Sequence, residues 1–221
     1  GIDSFQPDKV FAAMGMGTFS DGVYRSTNGG SSWEVAAWFY KPNALAMERR
    51  NPEVIYAGSR DAGVIRSLDG GVRWTEINEG LTGPDVQYLA VDPSDRRAVY
   101  AATVGGIFRY DWVPTVAISL EPDSPVVHPG GTLGFTLELC NHTDDWQTFL
   151  VQAMVLLPNG TTLPYETPRQ ITMPPSVCRS VHITRSVPYG VPPGEYRFRV
   201  WLGTPAQGVW DVDSFRVTVV P

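Results

Sequence analysis

Three arginines recur at one phase of this sequence, in Gly22-Val23-Tyr24-Arg25, Gly63-Val64-Ile65-Arg66 and Gly106-Ile107-Phe108-Arg109. Gathered at one point, they would clamp a substrate carboxylate through charge-assisted hydrogen bonds. Asp21, Asp61 and Asp85, on turn-rich segments, are the carboxylates that could act as acid and base on a glycosidic bond. Repetition argues against both ideas. An active site draws non-equivalent residues from different units, so arginines at one repeated phase read as architecture. Asp21 and Asp61 precede the same apolar run of successive units and read as turn formers. His128, His142 and His182 have no Ser or Cys nucleophile at a recognisable spacing. Asp144-Asp145 and Asp211-x-Asp213 could bind weakly to Ca²⁺, which takes six to eight oxygen ligands, but are read first as solvated loop carboxylates. Gly29-Gly30, Gly70-Gly71 and Gly105-Gly106 precede no helical pattern, which excludes a phosphate cradle. No catalytic residue, metal site or cofactor is assigned. The candidate binding residues are Trp38, Phe39 and Tyr40, an aromatic run where one unit crosses to the next, together with Asp61. Packing between units is the equal alternative for the aromatics, whereas Trp146 and Trp210 read as local core plugs.

These residues sit on an internal repeat. Gly1–Ala12, Ala46–Ala57 and Ala90–Ala101 align without gaps, with Phe11, Tyr56 and Tyr100 in register at steps of 45 and 44 residues. Four short apolar runs per unit predict a four-stranded sheet per repeat. Strand one is expected at Tyr88–Val91, strand two at Val99–Thr103 and strand three at Gly106–Tyr110. Strand four is expected at Trp33–Ala36 and Trp74–Ile77.

The hairpin before strand four carries the most specific motif. Ser26-Thr27-Asn28-Gly29-Gly30-Ser31-Ser32-Trp33 and Ser67-Leu68-Asp69-Gly70-Gly71-Val72-Arg73-Trp74 share Ser-x-Asn/Asp-x-Gly-x-x-Trp. The short Asn28 or Asp69 side chain can cap backbone N–H groups, and Gly30 or Gly71 supplies positive φ. Trp33 or Trp74 then folds back as an apolar plug. Both octapeptides resemble the Asp-box (BNR) repeat, and the unit resembles the blade of an Asp-box β-propeller, as found in bacterial sialidases, oligoxyloglucan-hydrolysing enzymes and sortilin-type receptors. The resemblance implies a structural role for the box residues. The Arg-Ile-Pro signature that usually opens the catalytic part of sialidases does not occur. The third unit stops at Arg109-Tyr110-Asp111-Trp112 without a box, so the last blade is expected to lack its fourth strand. Gly1 enters within a repeat, and two blades and three-quarters cannot close a ring. Upstream blades or a neighbouring chain are therefore expected to complete it.

From Val113 onward the period disappears and proline rises from five residues to fourteen. Strands are expected at Thr115–Leu120, Thr132–Cys140, Gln147–Leu156, Val177–Arg185, Glu195–Leu202 and Ser214–Val219. About seven strands over this length fit an immunoglobulin-like sandwich. The stretch Pro192-Pro193-Gly194-Glu195-Tyr196, followed by Val209-Trp210-Asp211, resembles Ig-like modules near the C-termini of secreted bacterial proteins. Cys140 ends one strand and Cys178 begins another. In a Greek-key sandwich those strands are antiparallel neighbours, which allows a disulfide and favours it over two buried thiols. Asn141-His142-Thr143 and Asn159-Gly160-Thr161 satisfy the glycosylation sequon, read as chance in a Thr-rich domain.

Composition bounds the rest. With 221 residues, 43% of them hydrophobic and 18% charged, the chain is long enough for two folded domains and too apolar for disorder. Its 22 Gly and 19 Pro point to short strands and turns rather than a helical bundle. A net charge of −6 without a basic stripe makes nucleic acid an unsuitable partner. The longest apolar stretch, Phe149–Leu157, is too short to span a membrane as a helix. The expectation is all-β: a partial Asp-box propeller over 1–112 and an Ig-like sandwich over 113–221. Its expected role is binding or structural, at the surface of or secreted from a bacterial cell. Propeller loops would engage a glycan or protein, the sandwich would act as spacer or attachment module, and open blade edges would permit self-assembly. The alternative is the C-terminal part of a secreted Asp-box glycoside hydrolase with its catalytic blades before Gly1.

Overall fold

The computed structural model describes residues 1–17 and 19–221. The chain is all-β, with no helix among the described residues, and divides into two compact units, Gly1–Trp112 and Val113–Pro221.

The first unit contains three antiparallel meanders. β1 (Val10–Met14), β2 (Gly22–Ser26) and β3 (Glu34–Trp38) form one sheet. β4 (Pro42–Met47), β5 (Ile55–Ser59), β6 (Gly63–Ser67) and β7 (Thr75–Glu76) form the second. β8 (Val86–Val91), β9 (Ala98–Thr103) and β10 (Gly106–Asp111) form the third, in which no fourth strand pairs with β10 among the described residues. Ahead of β1, Ile2 forms an isolated bridge with Val10 and the Gly1 carbonyl accepts the Phe11 N–H at 2.8 Å. Several expected strand starts move. The fourth strands begin at Glu34 and Thr75, because the preceding Trp33 and Trp74 are held in the turn by indole N–H bonds to the Gly30 and Gly71 carbonyls, at 3.0 and 3.2 Å. β8 starts at Val86, two residues earlier than expected, with a bulge between Val86 and Tyr88.

Strand alternation gives each sheet two faces. Phe11, Val23, Phe39, Ile55, Ala57 and Ile65 share one buried core that joins the first two sheets. Two glycines permit the close approach. A Cβ on Gly58 would meet Val86 Cγ1 and Leu89 of the third sheet. One on Gly71 (φ 85°) would meet the Phe11 ring, so positive φ and ring contact both demand glycine there.

The second unit is a sandwich. One sheet runs β11 (Val116–Pro122), β13 (Thr132–Asn141), β17 (Cys178–Ser186). The other runs β12 (Val126–Val127), β19 (Gly208–Val219), β18 (Gly194–Thr204), β14 (Gln147–Leu156), β15 (Thr162–Pro164), with β16 (Arg169–Met173) also on β14. Inward residues of both sheets form one core, at whose centre Phe135 lies 5.2 Å from Phe198 and 5.4 Å from Phe215. Cys140 and Cys178 are register partners on β13 and β17 and are joined by a disulfide.

Several expectations are corrected here. β12, β15 and β16 are short strands that apolar alternation alone does not reveal. β19 begins at Gly208 rather than Ser214, so Asp211 and Asp213 are not solvated loop carboxylates. They lie inside a strand, buried, and accept backbone N–H bonds from Ile118 at 2.9 Å and Leu120 at 2.8 Å on the facing sheet. Trp146 is exposed rather than a core plug, whereas Trp210 packs 6.0 Å from Phe149.

Candidate functional site

The two octapeptides close in the same way. The Ser26 hydroxyl accepts the Gly30 N–H at 2.9 Å and donates to Asn28 Oδ1 at 2.9 Å. Asn28 Oδ1 in turn accepts the Ser32 N–H at 2.9 Å. In the second turn the Ser67 hydroxyl accepts the Gly71 N–H at 2.8 Å and donates to Asp69 Oδ1, which accepts the N–H groups of Val72 and Arg73 at 3.1 and 2.8 Å. The polar side chains of both boxes are thus spent on turn backbone, which must be satisfied where the hairpin is tight.

The three arginines are held by different partners. Arg25 pairs with Glu34 at 2.6 Å and donates to the Gly70 carbonyl of the next sheet at 3.3 Å. Arg66 stacks on Trp112, 4.1 Å from its centroid. Arg109 pairs with Asp111 at 2.7 Å and donates to the Tyr100 hydroxyl at 3.1 Å. Asp21 is buried and accepts the N–H groups of Met16, Gly17 and Lys41, each at 2.9 Å. Asp85 accepts from the Gln87 amide at 2.5 Å. In the sandwich His182 meets Asp123 at 2.9 Å. His128 meets the Pro221 carbonyl at 3.3 Å. The Asn141 amide donates to the Asp145 and Pro174 carbonyls, so this sequon side chain is spent inside the fold. Among the described residues no group of three or more His, Cys, Asp or Glu could hold a metal ion. No helix there is long and apolar enough to cross a membrane.

Of the four candidate binding residues, three meet solvent. Trp38 is 69% exposed and Tyr40 50% exposed, but Phe39 is buried in the core between the first two sheets and is withdrawn as a contact residue. The alternation of a strand end decides this: neighbouring side chains leave on opposite sides. Asp61, on the β5–β6 turn, pairs with the Lys41 ammonium at 2.5 Å. That ammonium lies 4.9 Å from the Tyr40 centroid, and the Asp61 carboxylate beside it raises the Lys41 pKa. The Ser59 hydroxyl donates to the Tyr40 carbonyl, tying the crossing segment to the same turn. Tyr40, Lys41 and Asp61 are therefore one cluster. The β1–β2 loop closes against it: a Cβ on Gly17 would stand 3.3 Å from the Lys41 side chain and 3.9 Å from the Tyr40 hydroxyl. That loop exposes Met16 and Phe19 fully. The Gly-rich run Met14-Gly15-Met16-Gly17 is a visible signal for Met16 in the sequence, whereas Phe19 lies outside it.

A second concavity lies in the sandwich. An opening of about 300 Å³ has Leu137, Ala153, Ile171 and Val181 among its lining residues, with Glu166 and Arg185 also lining it. Arg185 pairs with Glu166 at 2.8 Å and holds its carboxyl below the usual range.

No family model matches the chain, and no curated protein matches it in sequence. Solved structures resemble about half of it. The CARDB domain of a Pyrococcus furiosus protein, solved with di-metal ions, is 17% identical with a TM-score of 0.38, covering 48% of this chain and 89% of that one. The Pseudomonas fluorescens alkylpurine DNA glycosylase AlkC, bound to DNA with an abasic-site analogue, is 11% identical with a TM-score of 0.41, covering 50% of this chain and 32% of the glycosylase. Bacteroides uniformis β-glucuronidase 2, covalently bound to a cyclophellitol-6-carboxylate aziridine, is 15% identical with a TM-score of 0.42, covering 51% of this chain and 15% of the glucuronidase. These likenesses are too distant to inform function.

Proposed function

We propose that the chain is a non-catalytic binding and structural protein, secreted or displayed at a bacterial surface. Its first unit is a segment of Asp-box propeller and its second an Ig-like spacer or attachment module. The three meanders at a 44-residue period and the two identically closed octapeptides support the propeller reading. Two sheets around one core, cross-linked between β13 and β17, support the Ig-like reading.

One observation carries the binding role: exposed Trp38 and Tyr40 stand at strand ends beside the Lys41–Asp61 pair. Flat aromatic faces cover the apolar face of a sugar ring, and an adjacent ammonium and carboxylate give its hydroxyls an acceptor and donors. Glycan is therefore the favoured ligand and a protein surface the second. Titration calorimetry against a panel of neutral and acidic oligosaccharides tests this. Trp38→Ala and Tyr40→Ala are each expected to weaken binding about tenfold, the worth of one aromatic contact, without lowering the melting temperature. Unchanged affinity in both variants, or no glycan bound by the wild-type chain, contradicts the glycan reading.

A further inference from the structure

In the sandwich, strand register places two arginines where core residues belong. Cross-strand partners share one face of a sheet. On β17 Ile183 pairs with Phe135 and Arg185 with Leu133, both partners being core residues. On β16 Ile171 pairs with Phe149 and Arg169 with Val151, on the inner face of the other sheet. Arg185 and Arg169 therefore start from inward positions on two facing edge strands. Val181, inward beside Leu137, is nonetheless 52% exposed. The opening of about 300 Å³ lies there, between β17 and β16. The other side of the sandwich is shut, because β11 packs against β19. Both ends of this unit lie on that shut side: the chain enters through β11, and the Pro221 carbonyl meets His128 just after β12. The cleft is thus built wholly from this unit's own strands.

Its floor is apolar and its rim charged. Phe135, Phe198 and Val200, each 2% exposed, line the inside, and Tyr165 stands edge-on to Phe198 at 4.4 Å. At the rim the Glu166 carboxylate lies between the two guanidiniums, 2.8 Å from Arg185 and 3.3 Å from Arg169. One carboxylate against two guanidiniums leaves one positive charge at the mouth. The Arg169 side chain is 72% exposed, so it keeps donors for an incoming anion. An apolar concavity with a few convergent charged groups is the common form of a small-molecule site.

We propose that this cleft binds a medium-chain alkyl carboxylate, its tail between the two sheets and its head on Arg169 and Arg185. A guanidinium meets a carboxylate through paired N–H donors, and the inward aliphatic and aromatic side chains match an alkyl body. The volume is at the low end for ligand pockets, which span about 300–1,000 Å³, and so suits a short chain. The site concerns the second unit alone and is independent of the glycan reading.

Titration calorimetry with decanoate, octanoate, decan-1-ol and decylammonium tests this. Decanoate should bind at least about tenfold more tightly than decan-1-ol, and decylammonium more weakly than either. Octanoate should bind about 15-fold more weakly than decanoate, for two fewer buried methylenes. Arg169→Gln, at a largely exposed side chain, should fold normally, weaken decanoate about tenfold and leave decan-1-ol unchanged. Glu166→Gln removes the competing carboxylate and should tighten decanoate about fivefold. A rim that only seals the edge of the sandwich would give no such gain. Ala153→Leu fills the cleft and should abolish binding of both ligands without lowering the melting temperature. If that variant unfolds, Arg169→Gln decides by whether it separates the acid from the alcohol. A wild-type chain that binds no decanoate at millimolar concentration overturns the proposal. So does equal affinity for decanoate and decan-1-ol, or decanoate binding that survives in folded Ala153→Leu.

Discussion

Truncating Tyr56 to alanine is expected to cost the sheet stack about 4 kcal/mol, the usual loss for a large aromatic cut from a packed core. Tyr56 is 0% exposed, on the face of β5 that the third sheet covers. Tyr56→Phe should behave oppositely. The hydroxyl has no hydrogen-bond partner among the described residues, so removing it should leave stability unchanged or raise it by up to about 1 kcal/mol. The same burial makes a pH prediction. Desolvation disfavours the phenolate and pushes the Tyr56 pKa up to about 12, against the opposing pull of Arg66. The fold therefore favours the protonated phenol. That preference costs nothing below pH 10, where the unfolded tyrosine is also protonated. Above it the unfolded chain loses its proton first, and stability falls until pH 12. At 1.36 kcal/mol per pH unit the loss approaches about 3 kcal/mol. Denaturant titrations at pH 9 and 11.5 should show it in the wild type and show correspondingly less in Tyr56→Phe. Equal alkaline losses would refute the assignment.

Asp211→Ala is expected to lower the melting temperature of the sandwich by about 15 °C, from a loss of about 3 kcal/mol. Asp211 is 0% exposed and accepts the Ile118 N–H of the facing sheet and the Val212 N–H of its own strand, at 2.9 and 2.8 Å. Alanine removes the carboxylate from both buried contacts, and losing one partner of a buried charged contact costs more than the contact is worth. Asp211→Asn keeps one carbonyl oxygen and should lose less than half as much. Asp61→Ala, at a surface ion pair, should change stability by less than about 1 kcal/mol. Calorimetry of the three variants checks the order. A shift below about 3 °C for Asp211→Ala would show that the inter-sheet contact does not hold the sandwich.

The contrast between these two aspartates marks what was legible in the sequence. The all-β class follows from Gly, Pro and short apolar runs, which are local signals. The 44-residue period maps onto three meanders because each repeat is a self-contained hairpin series. Asp211 and Asp213 gave no such signal. Two acids spaced by one residue look the same in a loop and in a strand, and the N–H groups that decide between them are 93 residues away. Phe39 was lost among Trp38 and Tyr40 for a related reason. A run of three aromatics carries no phase, and its inward member is chosen by the end of β3 and by the positive φ (45°) at Lys41. Likewise Asn141 matches a sequon locally, yet its amide is spent on carbonyls of the Asp145 and Pro174 loops.

Thiol labelling of two engineered chains tests the packing of the sheets most directly. Both native cysteines are consumed in the Cys140–Cys178 disulfide, so a cysteine introduced at Val64 or Ile107 is the sole reactive thiol. The positions are equivalent in the repeat, with Val64 4% exposed beneath the third sheet and Ile107 79% exposed. In dilute protein Ile107→Cys should react at nearly the rate of an unfolded control. Val64→Cys should react at least about 100-fold more slowly, because it must wait for the third sheet to open. Equal rates at the two positions would contradict the sealed stack on which the account rests.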